Sequence, residues 1–399
     1  MVQTRDTPPI GRPELTRRYD VDWLRVLGMM VVFLFHNARF FDTDGWHVKS
    51  ARTTEAVTII VIVLVQWMMP LFFILSGIGA YHALAHQSGR QYVASRFKRL
   101  VVPLLFGIFV IIAPWQVYLE RVSHNQYSGS FWGWYPHYFE GWFGLGGNFA
   151  WMGVHLWYLE FLFVFSMIAL PLFLYLQSPS GIPLLGALSR LLSKPGAIFL
   201  FAVPIAFMEF LANSPALKGG LLSQRGFGGW SLLPYLAIFI IGFVLGAGAG
   251  MAKIMERHRF AGLLVGILTW GVVWVLVKEH NLPESSVTFA ALRGLLCWAH
   301  LIAICGFASR HLRFSNGFLK YANEAVLPFY ILHQTIILTV GYYVLRLDTR
   351  LWIEYLIIAT ISFIVIMALY ELLIRRINFL RFLFGLKIVR RPQMLVVTP

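Results

Sequence analysis

Two residues on one predicted membrane helix, an arginine and a histidine, are of types that could do chemistry. Arg25 and His36 are eleven positions apart in an otherwise apolar segment. Because an α-helix turns by about 100° per residue, eleven steps return to within roughly 20° of the starting face, about 16 Å further along the axis. A cation and an imidazole inside a bilayer cost several kcal/mol unless they face a cavity, a substrate or a partner. The pair therefore indicates a functional polar stripe.

The composition predicts a membrane protein. The 399 residues are 58% hydrophobic and only 13% charged, whereas soluble domains carry about 25% charged residues. We expect an all-α polytopic bundle of about ten transmembrane helices, because only helices satisfy the backbone in apolar runs of this length. The predicted spans cover residues 21–41, 56–80, 100–119, 152–176, 197–213, 232–250, 260–279, 288–308, 323–345 and 351–374.

The distribution of basic residues predicts that both chain ends are cytoplasmic. With the N-terminus inside, the inner segments hold well over half of the 33 Lys and Arg residues, which is the bias of cytoplasmic loops. We predict a disordered tail over 1–18, one integral domain over 19–375 and a second disordered tail over 376–399, in a bacterial-type inner membrane. The net charge of +15 is explained by residues that meet anionic headgroups, so no nucleic-acid partner is expected.

Familiar motifs for metal, phosphate or serine chemistry are missing from the sequence. There is no Cys or His cluster at metal-ligand spacing, no phosphate-binding glycine loop and no serine nucleophile elbow. Cys297 and Cys305 lie about 12 Å apart along one predicted helix, too far for a disulfide. We therefore expect no metal and no permanently bound cofactor, and the chemistry must come from isolated polar residues that converge from different helices.

Four further segments accompany the Arg25 and His36 pair in order along the chain. They are Leu71–Gly77, Arg96–Arg99, His155–Glu160 and Leu327–Gln334. Together the five segments resemble the motifs of the membrane-bound acyltransferase family 3, whose first helix carries an arginine, ten residues and a histidine. The last segment resembles a glucan-succinylating branch of that family. The resemblance covers residues 19–375, nearly the whole chain.

The resemblance implies transfer of an acyl group from a cytoplasmic coenzyme A thioester to a hydroxyl of an extracytoplasmic glycan or lipid-linked sugar. Succinyl- or acetyl-coenzyme A would be the co-substrate. Arg25 would lie near the inner face and, with Arg96 and Arg99, would bind the donor's phosphates through charge-assisted forked hydrogen bonds. Arg96 and Arg99 could equally be ordinary positive-inside anchors.

His36 would lie deeper, beyond the membrane midplane. An imidazole is suited to take the proton of an attacking alcohol, or it could carry the acyl group covalently, and the sequence leaves both open. The alternative is a structural histidine that hydrogen-bonds a neighbouring carbonyl. Glu160 is the second predicted catalytic residue, orienting the imidazole or contacting an acceptor hydroxyl. The alternative for Glu160 is a structural ion pair with Arg39 or Arg293.

Further polar residues are candidates for a substrate path. They are His333, His155, Ser76 and Tyr330. His333 could line the path or simply hydrogen-bond across helices, and Ser76 with Gly77 is expected mainly to allow close helix packing. His300 has no motif around it, so a structural role is favoured. The aromatic outer segment 120–149 could bind sugar rings, but an interfacial belt is the preferred interpretation.

A secondary transporter of an organic anion or a small acyl or glycan metabolite is the alternative function. Many transporters are built from duplicated halves with matching broken helices, whereas each motif occurs once in this chain. A transporter also has no need for cytoplasmic arginines aligned with a buried histidine. The sequence therefore favours the acyltransferase, and it makes no prediction of oligomeric state.

Overall fold

The computed structural model describes residues 17–110, 112–217, 219–226, 228–248 and 250–389. This part of the chain contains sixteen α-helices and no β-strand. The helices are α1 (Tyr19–Ala38), α2 (Glu55–Val65), α3 (Met68–Leu84), α4 (Gly89–Arg96), α5 (Val102–Phe109), α6 (Ile112–Ser123), α7 (Phe131–Trp134), α8 (Trp157–Gln177), α9 (Ile182–Leu192), α10 (Ala202–Ala212), α11 (Leu232–Ala247), α12 (Met251–Lys278), α13 (Val287–His311), α14 (Gly317–Val344), α15 (Leu351–Leu369) and α16 (Asn378–Leu383).

Eight helical stretches in these described ranges are long and apolar enough to cross a membrane. They are Tyr19–Ala38, Glu55–Leu84, Gly89–Ser123, Val154–Gln177, Met251–Lys278, Val287–His311, Gly317–Leu347 and Leu351–Ile374. This confirms the predicted polytopic helical class. The fifth and sixth predicted spans coincide with the shorter apolar helices Ala197–Ala212 and Leu232–Ala247. At 1.5 Å per residue the second of these is about 24 Å long, less than the ~30 Å thickness of the hydrocarbon core.

Helix α1, which carries the predicted polar stripe, lies inside the bundle. It packs against α3, α13, α14 and α15, so most of its circumference faces other helices. Helix α12, in contrast, is at the periphery, with only 17% of its most apolar window buried. Side chains on α1 can therefore line an interior space, whereas most of those on α12 face lipid.

Close backbone contact between α3 and α11 fixes one wall of that space. A Cβ at Gly77 would lie 2.1 Å from the Phe239 carbonyl oxygen, and one at Gly242 would lie 2.3 Å from the Ile74 carbonyl oxygen. No larger side chain fits at either position. The predicted role of the Ser76-Gly77 pair in close packing is thus confirmed for Gly77, as expected where small residues let membrane helices approach.

A buried ion-pair cluster joins α10 and α13 to the outer loop between α10 and α11. Glu209 is fully buried and its Oε1 lies 2.9 Å from Arg293 Nη1 and 2.7 Å from Arg225 Nη2. The Arg293 guanidinium also stacks on the Trp230 ring, 4.2 Å from the centroid. Arg225 makes a second, exposed pair with Glu284 at 3.4 Å.

We expect Glu209→Leu to lower the free energy of unfolding by about 3–5 kcal/mol, because it leaves the buried Arg293 cation without its carboxylate. Glu284→Leu is the matched control, since it removes a solvent-exposed partner of Arg225 and should change stability by less than about 1 kcal/mol. Denaturation of the detergent-solubilised variants measures both. Equal effects of the two substitutions would show that burial of the cluster does not govern its strength.

The predicted disordered tail from residue 376 is wrong for residues 376–389. This stretch contains α16, and its Arg381 is buried, donating to Glu324 Oε1 at 2.7 Å and to the Lys387 carbonyl at 2.7 Å. Gly385, with φ +68°, lies against the Arg99 carbonyl and Leu327. A six-residue helix is too short to give a periodic signal, and its anchor is a distant carboxylate. The predicted tails over 1–16 and 390–399 lie outside the described residues.

Candidate active site

Arg25 and His36 both face neighbouring helices of the bundle. Arg25 Nη2 donates to the Leu75 carbonyl of α3 at 3.4 Å, and a Cβ at Gly79 of the same helix would lie 3.2 Å from that nitrogen. Nδ1 of His36 lies 3.3 Å from Nε2 of His333 on α14. The two polar side chains of α1 therefore meet protein rather than lipid.

The hydrogen bonds of His36 and His333 define which nitrogens carry protons. A carbonyl oxygen can only accept, so Nδ1 of His36, 2.8 Å from the Val32 carbonyl, is protonated. Nδ1 of His333 likewise donates to the Tyr330 carbonyl at 2.6 Å. In the neutral rings both Nε2 atoms are then lone pairs. Nε2 of His333 is directed at the His36 N–H, and Nε2 of His36 has no hydrogen-bond partner among the described residues. His36 thus presents a nitrogen able to accept a proton.

His155 lies beside this pair but has no free nitrogen. Its ring centroid is 4.9 Å from that of His333. Nε2 lies 3.1 and 3.2 Å from the carbonyls of Tyr330 and Ile331, and Nδ1 lies 3.1 Å from the Gln116 amide. With Nε2 donating and Nδ1 accepting, the neutral ring is fully satisfied. We infer that His155 positions α14 and does not itself exchange protons.

A row of hydroxyl and aromatic side chains runs through the bundle from the neighbourhood of Arg25 to that of His36. The Tyr158 hydroxyl lies 2.7 Å from the Ser76 hydroxyl, and the carbonyl of the preceding residue, Leu75, accepts from Arg25 Nη2 at 3.4 Å. The Tyr330 ring centroid is 6.0 Å from that of Tyr158 and 5.7 Å from that of His333. The predicted path residues Ser76, Tyr330 and His333 are therefore brought together, with Tyr158 between them.

Arg96 and Arg99 come from the cytoplasmic entry to the third membrane stretch. Arg96 ends α4, with its guanidinium 4.9 Å from the centre of the Tyr92 ring. Arg99 lies in the π-helical turn Phe97–Val101 that follows. Such turns are rare and often occur at functional sites. The like charges of Arg96 and Arg99 act electrostatically on Arg25, and the role of the three arginines in donor binding stays a prediction.

This arginine cluster has few counter-charges. Arg96 and Arg99 form no ion pair within the described residues. The carboxylate beside Arg25 is Asp22, at 2.9 Å, and it is shared with Arg17 at 3.0 Å. This end of the site, which the sequence predicts to be cytoplasmic, therefore carries excess positive charge. An anion with several charged oxygens, such as a phosphate or pyrophosphate, would neutralise that charge.

Glu160 is not brought to the histidines. It follows Tyr158 by two positions on α8, which turns it about 200° away from that residue around the helix. It shares a face with Val164 and Ile168, whose side chains are exposed on the outside of the bundle. Its Oε2 is nevertheless buried and has no hydrogen-bond partner among the residues that the structure describes. The described structure therefore shows no contact through which Glu160 could play its predicted role of orienting the imidazole.

The alternative structural pairing of Glu160 is also wrong. Arg39 forms its ion pair with Asp42, and Arg293 forms its own with Glu209. Both cations are already held by carboxylates nearer to them in the fold. The remaining possibility from the sequence, contact with an acceptor hydroxyl, stays a prediction.

Glu160→Gln tests that possibility directly. Because no histidine touches this side chain, we expect the variant to keep most of the wild-type kcat for acyl transfer. The measurement is steady-state release of free thiol from the acyl donor in the presence of a glycan. A loss as severe as that of a His36 substitution would mean that Glu160 reaches the acceptor.

The structure also adds residues that the sequence did not single out. Gln116 of α6 is fully buried, and its amide nitrogen lies 2.7 Å from Thr335 Oγ1, while its oxygen accepts from Gln334 at 3.0 Å. Its position in the apolar segment 100–119 was a usable signal, since buried amides are kept only where they are hydrogen-bonded. It locks α6, His155 and α14 together.

Two other predictions concern His300 and the aromatic outer segment. His300 Nδ1 lies 2.7 Å from the Leu296 carbonyl one turn back, the same kind of contact that His36 makes to the Val32 carbonyl, so the structural role of His300 stays a prediction. In the aromatic outer segment, Trp134 and Tyr138 are buried in a small core of their own, while Trp132 is 75% exposed. Nothing in these contacts separates an interfacial belt from a sugar-binding surface, so that interpretation stays a prediction.

Comparisons with known proteins bear on the chemistry of this site. A family model described as an acyltransferase domain, that of acyltransferase family 3, matches residues 18–371. The chain is 25% identical over 396 residues to Glucans biosynthesis protein C of Escherichia coli (strain SMS-3-5 / SECEC), covering 94% of this chain and 96% of that protein. It is 24% identical over 381 residues to Glucans biosynthesis protein C of Salmonella schwarzengrund (strain CVM19633), covering 92% and 94%. No solved structure matches. The chain belongs to acyltransferase family 3 and is a multi-pass membrane acyltransferase.

Proposed function

We propose that this acyltransferase moves an acyl group from a cytoplasmic acyl-coenzyme A to a hydroxyl of an extracytoplasmic glycan, in a bacterial inner membrane. Succinyl- and acetyl-coenzyme A are the candidate donors, and a glucan is the first candidate acceptor because the relatives carry that word in their names. The observation that carries the proposal is the row of polar groups from Arg25 to His36 through the interior of one helix bundle.

The arginine cluster would bind the donor's phosphates at the cytoplasmic end. Arg25, Arg96 and Arg99 supply three guanidinium forks, which suit phosphate oxygens better than lysine ammonium groups do. From there the thin pantetheine arm would run past Tyr158 and Tyr330 towards the histidines. The distance to be covered is about 16 Å, the rise of α1 over eleven residues. Phosphates and thioester would then lie at the two ends of the polar row.

His36 Nε2 would then act on the reacting groups. In one route it takes the proton of the acceptor hydroxyl as that oxygen attacks the thioester carbonyl, and the imidazolium returns the proton to the departing thiolate. In the other route Nε2 attacks the carbonyl itself and coenzyme A departs as the thiolate. The acceptor hydroxyl then attacks the acyl-imidazole, the imidazole is released, and the hydroxyl proton passes to the thiolate. Both routes need Nε2 unprotonated. The Val32 carbonyl, at 2.8 Å, and His333 Nε2, at 3.3 Å, share the single His36 Nδ1–H, and both would stabilise the positive charge that develops on the ring.

Purified protein in lipid nanodiscs tests this proposal. We expect release of free coenzyme A from succinyl- or acetyl-coenzyme A that rises with added glucose oligosaccharide, together with an acylated sugar detected by mass spectrometry. A transporter would give a different result, namely flux of an organic anion across proteoliposomes with no acylated product. Absence of acyl transfer from either donor would overturn the proposed donor chemistry.

A further inference from the structure

The loop after α1 folds back over the outer end of the histidine site. Its Trp46 ring centroid lies 6.2 Å from that of His36 and 4.8 Å from that of Phe40. The loop is anchored by Asp42, which is fully buried and pairs with Arg39 and with Lys49, whose Nζ lies 2.8 Å from Asp42 Oδ1. Trp46 is thus held in place directly outside His36.

The next residue extends this surface to a carboxylate on another helix. His47 Nδ1 hydrogen-bonds Glu120 Oε2 on α6, and the His47 ring lies nearly parallel to Phe143, 6.3 Å away with an interplanar angle of 24°. Ser123 Oγ donates to the His47 carbonyl at 2.7 Å and fixes the backbone. The side chains of His47 and Glu120 are 12% and 19% exposed, so solvent reaches the pair from outside.

The chemistry of this surface suits a sugar ring. A pyranose has an apolar face of C–H groups, which packs on aromatic rings, and an edge of hydroxyls, which hydrogen-bond to carboxylate and imidazole. The nearby cations are already paired with carboxylates: Arg39 and Lys49 with Asp42, and Arg121 with Glu120 itself, whose Oε1 lies 4.0 Å from Arg121 Nη1. Because each of these three cations has a carboxylate partner, the surface favours a neutral sugar over an anionic one.

A proton relay to the outside is a weaker explanation of the same residues. Trp46 lies between His36 and His47 and contacts both rings through its aromatic face or edge. Its indole N–H can donate a hydrogen bond but cannot accept one, so a proton cannot be passed through it. The pair formed by His47 and Glu120 is therefore placed to bind a ligand next to His36.

We propose that Trp46, His47, Glu120 and Phe143 form an acceptor subsite for one neutral sugar ring of the glycan. The sugar packs on the Trp46 and Phe143 rings, and Glu120 accepts hydrogen bonds from its hydroxyls. A hydroxyl of that ring or of its neighbour in the chain then reaches His36 Nε2. This inference rests on the proposed function for its role in turnover, and on the contacts of these four residues for binding itself.

Binding of a glucose tetrasaccharide without any acyl donor is the test. Isothermal titration of the protein in nanodiscs would compare wild type with Glu120→Gln and Trp46→Phe. We expect Glu120→Gln to raise the Kd at least about tenfold, as loss of one charge-assisted hydrogen bond predicts. Trp46→Phe should raise the Kd by a smaller factor, because a single six-membered ring replaces the larger indole. Glu140→Gln is the matched control, since Glu140 forms the same kind of pair with His137, at 2.8 Å, but on an exposed part of the outer loop. It should bind like wild type.

Two outcomes would overturn the proposed sugar subsite. One is an unchanged Kd for both Glu120→Gln and Trp46→Phe, and the other is a wild-type protein that does not bind the tetrasaccharide. Thermal unfolding of each variant separates misfolding from lost binding, and if Glu120→Gln unfolds, the smaller change Trp46→Phe decides. Because the titration contains no coenzyme A, failure of the donor chemistry would leave its result intact, and coenzyme A release in a parallel assay reports on the donor chemistry alone.

Discussion

His36→Ala should lower kcat for acyl transfer by about 10²–10⁴-fold, the usual contribution of a positioned general base. The free Nε2 of His36 is the nitrogen available to accept the acceptor's proton, since His155 is fully hydrogen-bonded and His333 Nε2 faces the His36 ring. If an acyl-histidine forms instead, the same substitution removes the nucleophile. Steady-state kinetics with labelled acyl-coenzyme A and a glucose oligosaccharide measure the effect.

His300→Ala is the control for this substitution. His300 also donates from Nδ1 to a carbonyl one turn back in a membrane helix, at 2.7 Å from Leu296, compared with 2.8 Å from Val32 for His36. It lies away from the polar row, so its removal should leave kcat near wild type. Comparable losses in both variants, or an active His36→Ala enzyme, would show that the effect is structural and that the catalytic base lies elsewhere.

Arg25→Gln is the second substitution with a large expected effect. It should raise the KM for the acyl-coenzyme A donor by about 10–100-fold, because each hydrogen bond to a charged group contributes about 1.5–3 kcal/mol and 1.4 kcal/mol is tenfold in affinity. At saturating donor the kcat should change much less, as for a residue that binds substrate and transition state equally. Arg25→Lys should restore only part of the affinity, since one ammonium group cannot reproduce the planar fork.

Arg310→Gln provides the comparison for a general loss of cytoplasmic positive charge. Arg310 lies at the cytoplasmic end of α13, is 59% exposed and pairs with Glu256 at 3.4 Å, away from the cluster of Arg25, Arg96 and Arg99. Its removal should leave the donor KM unchanged. An equal rise in KM for both variants would mean that the donor is attracted by overall surface charge and is not bound by the cluster.

Most of the site could be predicted because it follows helical periodicity and membrane depth. The eleven-residue spacing placed Arg25 and His36 on one face, and the structure confirms that this face meets other helices. The resemblance to the family's motifs supplied Ser76, Tyr330 and His333 as further candidates, and the structure shows how they are linked through Tyr158. Each of these side chains is on a long helix whose phase and depth can be counted from the sequence.

The parts that could not be predicted depend on contacts between distant segments. Helical periodicity places Tyr158 and Glu160 on opposite sides of α8, but the sequence did not show that Tyr158 is the one that contacts Ser76 and Tyr330. The contact of His47 with Glu120 joins residues 73 positions apart, and the sequence around neither residue indicates that they meet. Helix α16 is likewise held by a buried Arg381 that pairs 57 positions away.

Photo-crosslinking tests whether Arg25 and His36 line one interior passage. The probe is an acyl-coenzyme A analogue that carries a diazirine on its acyl chain. We expect mass spectrometry to find the label on residues around His36, namely Tyr330, His333 or α1 near His36. We also expect Arg25→Gln to abolish this labelling. Label confined to the exposed outer face of α12, or interior labelling that persists in Arg25→Gln, would contradict this interpretation.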